Sequence, residues 1–148
     1  MMFNRFLGSL IKQGNKTAAK KILTTSLFDL SRTEAALKEN VPCYRVLPNI
    51  FKKLNNYVEV KKIPWGKKKQ KKFNLIPFPL KPKRQVFYKI KWIVGASKED
   101  VNKVPYSTKL FSEMYNVLYD PKKSKALIEK KRVSKEIFSS RSNSHFRW

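Results

Sequence analysis

Between Lys52 and Lys91, forty residues carry fourteen cations and a single acid, Glu59. A segment with a net charge of +13 cannot be folded inward, because buried ammonium groups without partners are strongly disfavoured. It must lie on a surface or project from one. The whole chain shows the same bias at lower density: 148 residues hold 34 Lys and Arg against 10 Asp and Glu, a net charge of +24. Such a charge strains any isolated compact state by self-repulsion, and solubility needs a net magnitude of only roughly 2–8. A polyanionic partner is therefore expected, nucleic acid first and an anionic membrane surface second. The chain is nevertheless 41% hydrophobic, with ten Phe, six Tyr and three Trp. That is enough apolar material for a core, so a purely disordered basic tail is excluded.

The residues that carry most chemistry are scarce. Cys43 is the one cysteine and His145 the one histidine. An intrachain disulfide, a cysteine zinc cage and a multi-histidine metal site are all excluded. Four glycines cannot build a Gly-rich phosphate loop. The ten acids form no motif, and no run approaches the 18 or so apolar residues of a membrane span. We expect no catalytic residue, no metal and no cofactor, and we read His145 as a packing or hydrogen-bonding residue.

Periodicity predicts a mainly α-helical chain. Phe3, Phe6, Leu7, Leu10 and Ile11 share one helical face. Gly14-Asn15 breaks that helix, and a second begins at Lys16 or Thr17, with Thr17 as cap and Ala18, Ile22, Leu27 and Leu30 inward. This opening, with five cations and no acid from Met1 to Phe28, has the look of a mitochondrial targeting segment. It is Lys-rich rather than Arg-rich and runs into a second patterned helix, so we read it as the first piece of the mature fold. Thr33–Lys38 and Asn49–Leu54 are expected as short helices, with Pro42 and Pro48 as punctuation.

Tyr57–Val60 and Phe73–Ile76 read as two strands of a β-hairpin. Of the twelve residues between them, seven are lysine: Lys61, Lys62, Lys67, Lys68, Lys69, Lys71 and Lys72. The expectation is a long basic tip with Trp65 among the lysines, placed either to stack on an exposed base or ribose or to pack the lysine stems and strands. Pro77, Pro79 and Pro82 are expected as a rigid connector. A helix follows, with Val86, Phe87, Ile90, Ile93 and Val94 on its apolar face and Gly95 near its end. Phe73, Phe78 and Phe87 are assigned to the core. A helix opened by Pro105 carries Tyr106, Leu110, Met114, Val117 and Leu118. A charged helix over residues 122–138 is anchored by Leu127, Ile128 and Ile137, and residues 139–148 form an irregular basic tail. The expected architecture is about six helices in a bundle with a protruding β-hairpin. It forms a single domain: residues 1–54 N-terminal helices, 55–79 hairpin, 80–138 C-terminal helices and 139–148 tail.

Lysine outnumbers arginine 27 to 7. Ammonium groups meet phosphate as point charges, whereas arginine forks read base edges. A Lys-dominated surface points to shape and backbone recognition, as suits folded RNA.

Four segments, taken in order, resemble the small-subunit ribosomal protein seven family in its organellar form. They are Arg5–Lys16 with Ala18–Leu23, the strand Val58–Lys61, the helix Arg84–Ala96 with Lys91-Trp92-Ile93-Val94, and the closing His145-Phe146-Arg147-Trp148. The likeness spans essentially the whole chain at low identity. The chain departs from the family at the hairpin turn, where Pro64-Trp65-Gly66-Lys67 replaces a glycine-rich turn, and at Lys130–Ser134, which lacks a histidine. The family's basic N-terminal extension is expected to be nearly absent. The resemblance implies a helical bundle with a β-hairpin, bound to the 3′ major (head) domain of small-subunit rRNA. It also implies early head assembly, proximity to the mRNA exit and exit-site tRNA, and small-subunit ribosomal proteins nine and eleven as neighbours. A mitochondrial, organelle-encoded protein with no membrane association is expected. The RNA-binding set is then Lys61, Lys62, Trp65, Lys67, Lys68, Lys69, Lys71 and Lys72 on the hairpin. Lys81, Lys83, Arg84, Lys89 and Lys91 serve its base and the next helix, Arg5, Lys12, Asn15 and Lys16 the first turn, and Arg141, Arg147 and Trp148 the tail. Rival readings are an organellar DNA-packaging protein and a basic peripheral membrane protein.

Overall fold

The computed structural model describes residues 2–38, 42–65, 72–99 and 104–147, with only the backbone described at Trp65 and Lys72. The helices are α1 (Met2–Leu10), α2 (Lys16–Ser31), α3 (Glu34–Lys38), α4 (Cys43–Lys53), α5 (Pro82–Lys98), α6 (Tyr106–Leu118) and α7 (Lys125–Ser139). Strands β1 (Val58–Trp65) and β2 (Lys72–Pro79) lie between α4 and α5, and a 3₁₀ helix, Arg141–Phe146, closes the chain. The mainly α fold with a β-hairpin is thus as expected, with more helical pieces than six.

The core is a helical one. Phe6 on α1, Leu23 and Leu30 on α2, Ile50 and Phe51 on α4, Ile93 on α5, and Leu110, Met114 and Val117 on α6 are all buried in one cluster. The buried face of α2 is Ala19, Leu23, Ser26, Leu27 and Leu30; of the predicted residues, Leu27 and Leu30 are on it, Ile22 is half-buried against the core and Ala18 is exposed. The Ser26 hydroxyl on that face is within hydrogen-bonding distance of the carbonyls of Ile22 and of Ser107 on α6, at 2.7 and 3.1 Å. The cap of α2 is Asn15, not Thr17. The Asn15 Oδ1 accepts from the Ala18 amide at 3.1 Å and from the Thr17 hydroxyl at 2.9 Å.

Proline misleads twice. The helix predicted over Asn49–Leu54 runs from Cys43, with Pro48 inside it. Burial of Val46, Leu47, Ile50 and Phe51 along one face outweighs the one backbone hydrogen bond that Pro48 cannot donate. Pro77 and Pro79 belong to β2 rather than to a connector. The antiparallel register pairs Val58 with Pro79, Val60 with Pro77 and Pro64 with Phe73. All three prolines fall on alternate pairs. The Leu80 amide donates to the Tyr57 carbonyl at 2.8 Å, which marks the other alternate set, Glu59–Phe78 and Lys61–Ile76 among them, as the hydrogen-bonded one. The prolines therefore sit where no ladder donor is needed. The strands are also longer than predicted, so Lys61 to Trp65 lie on the ladder rather than in the tip.

On α5, Pro82 takes the first helical position and Trp92 is buried with the core. Gly95 does not end the helix, which continues to Lys98. A Cβ built on Gly95 would meet nothing within 4 Å. No close approach inside the protein requires this glycine, although glycine costs a helix interior roughly 0.5–1 kcal/mol relative to alanine. On α7, Ala126 is buried and Leu127 and Val133 are packed against the core, while the predicted anchor Ile128 is exposed.

Candidate nucleic-acid interface

The base of the hairpin is organised by the one acid of the basic stretch. Glu59 is 7% exposed. Its Oε2 accepts from Arg84 Nε at 2.7 Å and from the Tyr88 hydroxyl at 2.9 Å. These bonds pin β1 to the first two turns of α5. Hydrogen bonds to Tyr88 and Glu59 hold the Arg84 guanidinium above its ordinary pKa. More than half of the Arg84 side chain stays in solvent. Lys61, on the same strand face as Glu59, has its Nζ 3.8 Å from that carboxylate and 4.4 Å from the centre of the Phe78 ring. Lys62 falls on the opposite strand face and is exposed.

A second group of expected residues meets where α1 crosses α5. Arg5 and Ser9 face Lys83, Phe87, Ile90, Lys91, Val94, Gly95 and Lys98 across a groove of about 530 Å³. The α5 members recur at helical spacing, so they form one stripe. A second groove shares Ser9, Val94 and Lys98 with the first and adds Lys12 and Asn15 from the turn between α1 and α2. That turn is held by left-handed backbone at Gln13 and Gly14, with φ of 51° and 75°. The two grooves make a continuous trough whose described lining carries Arg5, Lys12, Lys83, Lys91 and Lys98 and no acid. Lys16, the first residue of α2, and Lys81, the cap of α5, are exposed beside it in sequence. Lys16 stands at a helix N-terminus, where the helix dipole disfavours a cation, so helix stability does not account for it.

Several expected residues have other employment. Lys89 is only 9% exposed, and burial, with Lys130 nearby, pushes its pKa down. It lies on the buried side of α5 and not on the stripe that lines the groove. Arg147 donates from Nε to the Pro77 carbonyl at 2.8 Å, and Asn143 donates to the Leu75 carbonyl at 3.0 Å. Both acceptors belong to the non-hydrogen-bonded set of β2, so the tail satisfies the outer edge of the hairpin. The irregular tail expected from sequence is instead a 3₁₀ helix, which supplies the Asn143 donor, followed by Arg147, which supplies the other; the His145 and Phe146 rings are 3.9 Å apart. Asn15 is occupied as a cap. Arg141 lies over the Phe138 ring at 5.6 Å and remains exposed. Lys67, Lys68, Lys69, Lys71 and Trp148 lie outside the described residues, as do the side chains of Trp65 and Lys72.

Two aromatics assigned to the core are on the surface: Phe73 is 56% and Phe87 58% exposed. Lys98 was absent from the expected set, although its spacing of seven from Lys91 repeats the face and carries the signal. A further concavity, about 1010 Å³, lies between α1, α2 and α4. Its lining, with Phe28, Tyr44 and Leu47, holds no charged residue, although Arg32 lies over the Phe28 ring at 4.0 Å and Arg45 over the Tyr44 ring at 5.7 Å. Among the described residues no group of acids, histidines and cysteine could hold a metal ion, and no helix is long and apolar enough to cross a membrane.

Comparison with known proteins agrees with this architecture. A family model described as ribosomal protein S7p/S5e matches residues 1–141. A curated relative, the small ribosomal subunit protein uS7m of Gallus gallus, is 25% identical over 158 aligned positions covering 99% of this chain. The chain spans 65% of that relative's length. With a match over nearly its whole length, the chain belongs to the ribosomal protein S7p/S5e family.

Proposed function

We propose that this chain is a structural constituent of a mitochondrial small ribosomal subunit. In this reading it binds the head domain of the small-subunit rRNA and aids assembly of the head. Its hairpin reaches toward the mRNA exit and the exit-site tRNA, and small-subunit ribosomal proteins nine and eleven are its neighbours. The observation that carries the reading is the acid-free cationic trough of α1 and α5, contiguous in sequence through Lys83 and Arg84 with the base of a lysine-bearing hairpin. Family membership and the relative named as a mitochondrial small-subunit protein support the same conclusion.

The chemistry is binding, not catalysis. Lysine ammonium groups displace counterions from phosphates, and the rigid helical frame sets their spacing. The two buried carboxylates among the described residues both have structural partners. Glu59 is held by Arg84 and Tyr88, and Glu113 accepts from the Ser124 hydroxyl at 2.7 Å and the Ala126 amide at 3.0 Å. Neither is left over for proton transfer.

Titrating salt against binding tests the proposal. The chain should bind a head-domain rRNA fragment more tightly than duplex DNA of equal length. Replacing Lys61 and Lys62 with Ala should flatten the log–log salt slope by about 0.7–0.9 for each phosphate that is no longer neutralised. Equal affinity for duplex DNA favours the DNA-packaging reading, and an unchanged slope removes the hairpin from the interface.

A further inference from the structure

We propose that the α1–α5 groove is a slot for one unpaired nucleotide of the bound RNA. The inference rests on the ribosomal RNA reading above and specifies the ligand of that surface. Three observations carry it. The groove is not a simple charged surface: its floor is the apolar stripe of Ile90 and Val94, and its rim holds Arg5, Lys83, Lys91 and Lys98. An apolar floor between cations matches the two halves of a nucleotide, a flat base and the phosphates on either side of it. A paired helix presents phosphates, ribose 2′-hydroxyls and base edges to such a surface, but its stacked bases show no free face to the apolar floor.

Phe87 is the second observation. It lines the groove with 58% of its surface exposed, its ring at 73° to that of Tyr88 with centroids 5.8 Å apart. An exposed aromatic ring among four cations is an arrangement on which single-stranded bases stack. The third observation is Gly95. It lies within the α5 helix and lines both this groove and the one against α7, and a Cβ there would meet nothing within 4 Å among the described residues. Glycine at this place leaves the groove open, with room for a ligand that a larger side chain would fill.

The test uses the full chain with two RNA hairpins of identical stem, one fully paired and one carrying a single unpaired 2-aminopurine. Wild type should bind the bulged hairpin roughly tenfold more tightly, the order of one stacked base, and change the 2-aminopurine fluorescence. Phe87→Ala should lose most of that preference, and so should Gly95→Leu, which fills the slot with a better helix former; circular dichroism confirms that both keep their helices. Phe138→Ala, on α7 away from the groove, should keep the preference. Equal binding of the two hairpins by wild type, or a preference that both groove variants retain, overturns the slot while leaving the RNA reading intact. Failure of wild type to bind either hairpin at low salt overturns the ribosomal RNA reading itself. If Gly95→Leu keeps the RNA preference yet fails to join the small subunit, the groove receives a protein segment and the nucleotide proposal falls.

Discussion

Single residues in this chain divide into cations that face solvent and charges the fold has enclosed. Lys89 shows why composition alone cannot separate the two. It lies among Lys83, Arg84 and Lys91, but its angular position on α5 turns it inward with Trp92 and Ile93. Burial lowers its pKa, so the folded state binds that proton more weakly than the unfolded chain does. The resulting loss of stability is complete at neutral pH and disappears as pH rises through the folded pKa to the ordinary lysine value. Lys89→Met should therefore raise stability by about 1 kcal/mol at pH 7. In denaturant melts this gain should shrink as pH approaches the lysine range, and the RNA salt slope should not change. Glu113, like Glu59, is an enclosed carboxyl group. Its Oε1 accepts from both Ser124 and Ala126 at the start of α7. Glu113→Ala leaves those buried donors without an acceptor and should cost about 2 kcal/mol, read as a fall in thermal midpoint, with Gln recovering part of the loss. No sequence signal marked Glu113, because its partners are eleven and thirteen residues away, at the start of the next helix. Lys98 differs: its spacing from Lys91 was visible, and only the neighbouring Gly95, read as a helix end, concealed it.

Among the elements, helices with strong apolar periodicity were legible and those decided by tertiary contacts were not. The buried residues of α1 and α6 fall largely on the predicted stripes. On α2, Leu27 and Leu30 are buried as the pattern predicts, whereas the burial of the polar Ser26 against Ser107 of α6 is encoded in no local pattern. The prolines of α4 and β2 were read as breakers because local chemistry makes them so. Pro48 is carried by the burial around it, and Pro64, Pro77 and Pro79 are carried by the ladder register. The hairpin's existence was legible, but its dependence on the tail was not. Asn143 and Arg147 supply donors to the outer carbonyls of β2, about seventy residues away in sequence. Truncation after Ser140 should therefore speed amide exchange in β1 and β2 while leaving α2, α4 and α6 protected. Equal protection of the hairpin with and without the tail would contradict this role. Arg147→Ala should weaken hairpin protection and leave the RNA salt slope unchanged, the reverse of Lys61→Ala.

Across the whole molecule, a packed helical core holds together a surface with far more positive charge than the fold needs. The uncharged groove between α1, α2 and α4 lies apart from the trough that gathers Arg5, Lys12, Lys83, Lys91 and Lys98. That segregation was only partly legible. The charge total and its concentration in residues 52–91 were plain from sequence, whereas the meeting of α1 with α5 depends on core packing around Phe6 and Ile93. Sedimentation of an organelle lysate through a density gradient at moderate salt tests most directly whether this surface holds the chain on small-subunit rRNA. The chain should travel with the small subunit and shift to the top of the gradient after ribonuclease treatment; a chain found mainly in RNA-free fractions before any nuclease is added contradicts the account.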